Sequence, residues 1–210
     1  MVNPSEGIMD AGHGAFMEAS PYGIESKKLA MWLFIASDTV TFAALLFAYS
    51  YLRIGSLNWT PPFKFLPSIL NGMVMTVVLL TSSLTMLAGV MAAKAGNQKS
   101  CLRWMGFTML LGIVFAALHL REWFGMIHEG WRFFQNPLGG SVEVGTGFFC
   151  VTGLHLMHVI SGVVALAVVA LGYRSRWLTS GHVETVSLYW HFVDIVWMFV
   201  FPIVYLMNAQ

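Results

Sequence analysis

Charged residues are scarce in this sequence. Asp, Glu, Lys and Arg make up 10% of its 210 residues, against roughly a quarter in soluble domains, so a largely water-exposed surface is not expected. Cysteine is scarce too: Cys101 and Cys150 are too few and too far apart for a disulfide framework or a cysteine-rich metal site, and both are predicted to be free thiols. With a net charge of +1 and no basic run, the sequence offers no surface for nucleic acid.

Long apolar runs dominate instead. A bilayer core about 30 Å thick is crossed by roughly 20 residues of helix, and five runs of about that length are present, without strand-like alternation. The runs are Leu29–Leu52, Leu70–Ala93, Trp104–Phe124, Thr146–Tyr173 and Val183–Leu206. The sequence therefore predicts an all-α fold, a polytopic membrane bundle of five transmembrane helices.

The organisation around these runs is simple. Residues 1–28 are predicted to form a polar amino-terminal tail, and residues 29–210 to form the transmembrane domain. The tail is acidic and lacks the basic start of a secretory signal peptide. Connections between the runs are short and carry Pro, Gly or Asn. No internal repeat is apparent, which argues against an inverted-repeat transporter.

Lysine and arginine residues near the helix ends predict the orientation. Seven lie on the side of the amino terminus and three on the opposite side. Because basic residues favour cytoplasmic loops, we expect a cytoplasmic amino terminus and an external carboxyl terminus. Basic residues beside helix ends can also hold anionic phospholipid headgroups, although a role as topology signals explains them equally well. The headgroup candidates are Lys94, Lys99, Arg103, Arg174 and Arg176.

Ionisable side chains inside the predicted helices are costly in hydrocarbon, so each should have a partner or a hydrated cavity. In the first helix this residue is Asp38, whose ionised form is disfavoured at that depth. A protonated structural role and a proton-handling role both stay open for it. In the third helix, His119 and Glu122 are three residues apart and share a face, so we expect a hydrogen bond between them.

The fourth and fifth helices carry the other ionisable residues. His155 and His158, again three residues apart, could bind a metal, but helix–helix hydrogen bonding is the expected role. Glu184, His191 and Asp194 fall within one stripe of the fifth helix, less than about 100° wide, that cannot face lipid. We expect this stripe to meet other helices of the chain, a lipid headgroup or a partner subunit.

The set of candidate ligands is too small for a redox centre. A haem-binding cytochrome needs axial His pairs from facing helices, and a dinuclear iron bundle needs repeated Glu-x-x-His motifs, of which this sequence has none. We therefore predict no catalytic residue and no metal or cofactor site in this chain. An accessory membrane subunit is favoured over a stand-alone redox enzyme.

Three stretches resemble subunit III of the haem-copper terminal oxidases, which include cytochrome c oxidases and quinol oxidases. They are Met31–Asp38 in the first helix, Gly153–Gly162 in the fourth and Tyr189–Trp197 in the fifth, of which the last is the most specific. The resemblance covers residues 29–206 and fits the family's five-helix form, which lacks the first two helices of the seven-helix form. Asp38 stands where the family commonly has Glu, and His119 where it usually has Gln.

The resemblance implies a non-redox subunit, in the bacterial cytoplasmic membrane, of a proton-pumping oxygen reductase. It would pack against catalytic subunit I and the other subunits, which hold the haem and copper. It would also bind phospholipid, support assembly, proton uptake and turnover stability, and could join a respiratory supercomplex. The rival hypothesis is a small transporter or channel that uses Asp38, His155, His158 and Asp194 along a pathway.

Overall fold

The computed structural model describes residues 26–61 and 68–208 and contains five long helices. They are α1 (Ser26–Gly55), α2 (Leu70–Lys94), α3 (Gln98–His128), α4 (Glu143–Arg174) and α5 (Ser180–Val200). The chain continues from α5 through a wider π turn at Phe201–Tyr205 and a 3-10 turn at Leu206–Asn208. Within the described ranges no strand is present. The predicted all-α bundle of five helices is confirmed.

All five helices are long and apolar enough to cross a membrane. They extend past the apolar runs, because the polar first and last turns continue the helix beyond the hydrocarbon. α3 begins at Gln98 rather than at Trp104, where the Asn97 side chain accepts a hydrogen bond from the Ser100 backbone N–H at 3.1 Å. Residues 1–25 lie outside the described residues, so the division into tail and transmembrane domain stays a prediction.

The helices run alternately up and down, which gives the bundle two ends. At the end where α1 begins, Lys28 of α1 and Lys94 of α2 meet Glu184 in the first turns of α5. At the opposite end, the Trp59 indole donates a hydrogen bond to Asn208 at 2.9 Å. We call the first the amino-terminal end and the second the opposite end.

α5 is the most enclosed helix. In its most apolar stretch 56% of residues are buried, against 11% in that of α1. Its Trp190 and Trp197 have no exposed surface, and both indole N–H groups reach hydroxyls of α2. Trp190 donates to Ser82 and Trp197 to Thr76, each at 3.0 Å. The two rings therefore supply apolar contact while their polar atoms stay paired, as buried tryptophan requires.

Two glycines make room for Trp190. A Cβ atom added to Gly112 of α3 would stand 2.5 Å from the Trp190 ring and 2.9 Å from Val163. A Cβ atom on Gly162 of α4 would stand 3.0 Å from the same ring. Because the Trp190 ring lies directly against both glycine backbones, α3 and α4 can pack this closely around α5 only with no side chain at these two positions.

We expect Gly112→Val to lower the stability of the purified protein by about 1–3 kcal/mol, because the added methyl groups overpack the contact with Trp190. The readout is the thermal unfolding midpoint in detergent. Gly106→Val is the matched control, since Gly106 lies on the same helix and a Cβ there meets nothing within 4 Å. Equal unfolding midpoints for Gly112→Val and Gly106→Val would contradict the conclusion that Gly112 makes room for Trp190.

Candidate functional site

The ionisable residues predicted from the sequence are all buried or half-buried within the bundle. The structure separates them into a pair on α1 and α4, a cluster centred on α3, and the stripe on α5. They are Asp38, His119, Glu122, His155, His158, Glu184, His191 and Asp194.

Asp38 of α1 is paired with His158 of α4. The Asp38 Oδ2 and His158 Nε2 atoms are 3.2 Å apart, and the two side chains are 19% and 15% exposed. The neighbouring hydroxyls do not compete for the carboxyl, because Ser37 and Thr39 donate to backbone carbonyls of their own helix. The pair is therefore a direct polar contact between two helices at an otherwise apolar interface.

The hydrogen-bond partners of His158 determine which atoms of the Asp38–His158 pair carry a hydrogen. Its Nδ1 atom is 2.8 Å from the Leu154 carbonyl oxygen, which can only accept, so Nδ1 carries a hydrogen. In the neutral ring Nε2 is then an acceptor, and Asp38 must be protonated to donate to it. In the charged ring, Nε2–H donates to an Asp38 carboxylate. In both arrangements the pair shares one proton and has no net charge, which suits a site in a membrane.

The expectation of a hydrogen bond between His119 and Glu122 is wrong, because neither ring nitrogen of His119 bonds a described residue. The Glu122 Oε2 atom accepts instead from the Tyr205 hydroxyl at 3.0 Å and from the Asn71 amide at 3.3 Å. The His119 ring stacks on Phe115, with centroids 5.8 Å apart and planes 18° apart. The three-residue spacing does place His119 and Glu122 on one face of α3. The Glu122 carboxyl is nevertheless bonded by donors from other elements, Asn71 on α2 and Tyr205 in the turn after α5.

His155 also departs from its expected role. Its ring has no exposed surface and packs against aromatic side chains, 5.1 Å from Trp197 and 5.7 Å from Phe115 between centroids. Neither ring nitrogen of His155 makes a hydrogen bond to any residue the structure describes. The expectation of helix–helix hydrogen bonding is therefore confirmed for His158 and wrong for His155.

The stripe on α5 meets other helices of the chain, one of the three outcomes expected for it. His191 Nδ1 lies 2.6 Å from the Ser83 hydroxyl of α2, and the buried Asp194 carboxyl makes no hydrogen bond to a described residue. Glu184 is 2.6 Å from the Lys28 ammonium and 3.2 Å from the Lys94 ammonium. The stripe is thereby joined to α2 through His191 and Glu184, with α1 added at the amino-terminal end.

Sequence reasoning missed the ion pairs of Glu184. Lys28 and Glu184 are 156 positions apart, and the only available signal was their predicted location at the same end of the bundle. Lys27 extends the cluster, with its Nζ atom 2.9 Å from His182 Nε2. Lys94, predicted as a lipid-headgroup candidate, is also an ion-pair partner within the protein. The cluster joins the ends of α1, α2 and α5.

The other headgroup candidates lie exposed at the amino-terminal end, where α3 begins and α4 ends. Gln98 joins these helix ends, because its side-chain amide donates to the Tyr173 carbonyl at 2.6 Å and to the Arg174 carbonyl at 3.2 Å. These four candidates form no salt bridge with another described residue. They are Lys99, Arg103, Arg174 and Arg176.

In ranges 26–61 and 68–208, no three or more His, Cys, Asp or Glu side chains come together in an arrangement that could hold a metal ion. Cys101 and Cys150 are free thiols, as predicted.

Known proteins match the chain along nearly its whole length. The family model described as cytochrome c oxidase subunit III matches residues 9–209. Cytochrome c oxidase subunit 3 of Alkalihalophilus pseudofirmus is 31% identical, covering 99% of this chain and 97% of the relative. Cytochrome bo(3) ubiquinol oxidase subunit 3 of Pseudomonas aeruginosa is 33% identical, covering 85% and 83%. Quinol oxidase subunit 3 of Bacillus subtilis is 30% identical, covering 94% and 97%.

We expect Asp38 and His158 to be energetically coupled. Asp38→Leu and His158→Leu should each destabilise the protein, and the double variant should cost less than the sum, with a coupling of about 0.5–3 kcal/mol. Denaturant titration in detergent measures this cycle. Pairing Asp38→Leu with Glu122→Leu is the control, because Glu122 has other partners and its effect should add. An additive Asp38–His158 cycle would show that the contact contributes nothing.

Proposed function

Because the chain belongs to the cytochrome c oxidase subunit III family, we propose that it is an accessory subunit of a proton-pumping haem-copper oxygen reductase in an aerobic respiratory chain. The match of the family model to residues 9–209 carries this proposal. The matched relatives belong by name to cytochrome c oxidases and to quinol oxidases. The chain is an integral protein of the bacterial membrane, with five apolar helices.

In this proposal the haem and copper lie in partner subunits, above all in catalytic subunit I. The donor set of this chain supports that division, because three described histidines bond other side chains and no three His, Cys, Asp or Glu in residues 26–61 and 68–208 come together as metal ligands. His158 is bonded to Asp38, His191 to Ser83 and His182 to Lys27, while His119 and His155 are enclosed by aromatic rings. The chain would support assembly and turnover stability of the catalytic subunit and carry out no electron transfer itself.

Asp38 and His158 would contribute to proton uptake. The pair holds one shared proton without net charge, and it can pass between two protonation patterns by moving that proton across a contact of 3.2 Å. Its partial exposure of 19% and 15% leaves it open on one side of the bundle. A catalytic subunit packed against α1 would therefore meet a group that can donate or accept a proton.

Phospholipid headgroups would bind at the amino-terminal end. Lys99, Arg103, Arg174 and Arg176 are exposed there, and Lys94 has an exposed side chain despite its contact with Glu184. Clustered bases at a cytoplasmic surface attract anionic lipids. This placement fits the proposed orientation, with the amino terminus in the cytoplasm and the carboxyl terminus outside.

We expect Asp38→Asn to assemble normally into the oxidase complex and to lose oxygen reduction and proton pumping progressively as pH rises. Asn has nearly the same size, and its amide can donate to Nε2 of His158, but it cannot ionise. Protons are scarcer at alkaline pH, so loss of a proton-holding group should matter most there. The measurement is turnover and proton release of the purified, reconstituted complex across pH.

Asp38→Leu is the matched comparison, because it removes the hydrogen bond as well as the titratable group. If Asp38→Asn behaves as the unmodified complex at every pH while Asp38→Leu impairs assembly, Asp38 is structural and the proton-handling role is wrong. Loss of assembly in both variants would also assign Asp38 to structure.

A further inference from the structure

Two histidines in the interior of the bundle have ring nitrogens that the surrounding protein does not satisfy. His119 of α3 and His155 of α4 have no exposed surface. None of their four ring nitrogens makes a hydrogen bond with residues 26–61 or 68–208. A neutral imidazole has one N–H donor and one acceptor, and nearly all such buried groups in folded proteins are bonded to protein or to ordered water. The two rings therefore require partners.

The same two aromatic side chains flank both histidines. The Trp197 ring is 5.8 Å from His119 and 5.1 Å from His155 between centroids, and the Phe115 ring is 5.8 Å and 5.7 Å away. The Trp197 N–H is already donated to Thr76, and phenylalanine has no polar atom. An aromatic face can accept a weak hydrogen bond from an N–H, but it cannot donate to the acceptor nitrogen of either ring.

Water is the ligand that fits this chemistry. It donates and accepts, so it can bond the N–H as well as the bare nitrogen of an imidazole. Buried waters in proteins typically have two to four polar partners, and the four unbonded ring nitrogens of His119 and His155 are available as such partners. A metal ion is less suitable, because no third His, Cys, Asp or Glu in the described ranges joins the two histidines.

We propose that His119 and His155 together bind internal water at the centre of the helix bundle. This site is distinct from the Asp38–His158 pair, but it lies between that pair and Glu122. The Phe42 ring lies beside both His155 and His158, 6.4 Å and 5.1 Å away between centroids, and Glu122 follows His119 by three residues on α3. The Oε1 atom of Glu122, which has no bond to the described residues, is a further acceptor.

Hydroxyl-radical labelling of the intact oxidase complex tests the site. X-ray radiolysis converts bound water into radicals that oxidise adjacent side chains, and mass spectrometry locates the oxygen, with H₂¹⁸O identifying its source. We expect several-fold more oxidation of Trp197 than of Trp190. Trp190 is the internal control, because it lies on the same helix, is equally buried and has its N–H bonded to Ser82. Equal oxidation of the two tryptophans would overturn the proposal.

Substitutions at His119 give a second readout. His119→Leu removes both ring nitrogens and should reduce Trp197 oxidation to the level of Trp190. His119→Gln keeps a donor and an acceptor and should retain the difference between the two tryptophans. High Trp197 oxidation in both variants would show that other groups hold the water, which contradicts the proposal. If either variant fails to assemble, the unmodified complex alone tests the proposal: more oxidation of Trp197 than of Trp190 supports it, and equal oxidation contradicts it.

Discussion

The cost of leaving a polar group unpaired in hydrocarbon governs this structure. Lipid offers no hydrogen bonds, so a polar side chain within the helices is stabilised by a partner in the bundle, in its own backbone or in bound water. Hydroxyls such as those of Thr39 and Thr81 donate to carbonyls one turn earlier. Larger groups reach across to other helices, as Asp38 does to His158. These contacts fix which helix faces meet.

α5 shows how apolar packing and polar pairing are combined. Trp190 and Trp197 fill the space between α2, α3 and α4, and their N–H groups reach Ser82 and Thr76 on α2. His191 and Glu184 turn toward the same helix. α5 therefore holds α2 by a series of polar contacts at successive depths, with Gly112 providing room on the side of α3. α1 remains the least covered helix, available for contact with other subunits or lipid.

The sequence was sufficient for the number and type of helices, because runs of apolar residues report directly on the thickness of hydrocarbon. It also identified the polar stripe on α5, since that argument needs only the face that lipid cannot cover. The sequence could not identify the partner of Asp38, because His158 lies 120 positions away along the chain. The His119–Glu122 pairing failed for a related reason: spacing along one helix cannot show that Tyr205 and Asn71 approach the carboxyl from elsewhere.

As a member of this family, the chain serves as a subunit of a haem-copper oxidase. Purification from native membranes in mild detergent, through an affinity tag on this chain, tests it most directly when combined with a visible spectrum and metal analysis. We expect the chain to migrate as one complex with haem and copper and this complex to reduce oxygen. A colourless chain that purifies without haem or copper, and that moves a solute across liposome membranes, would contradict it and favour a transporter.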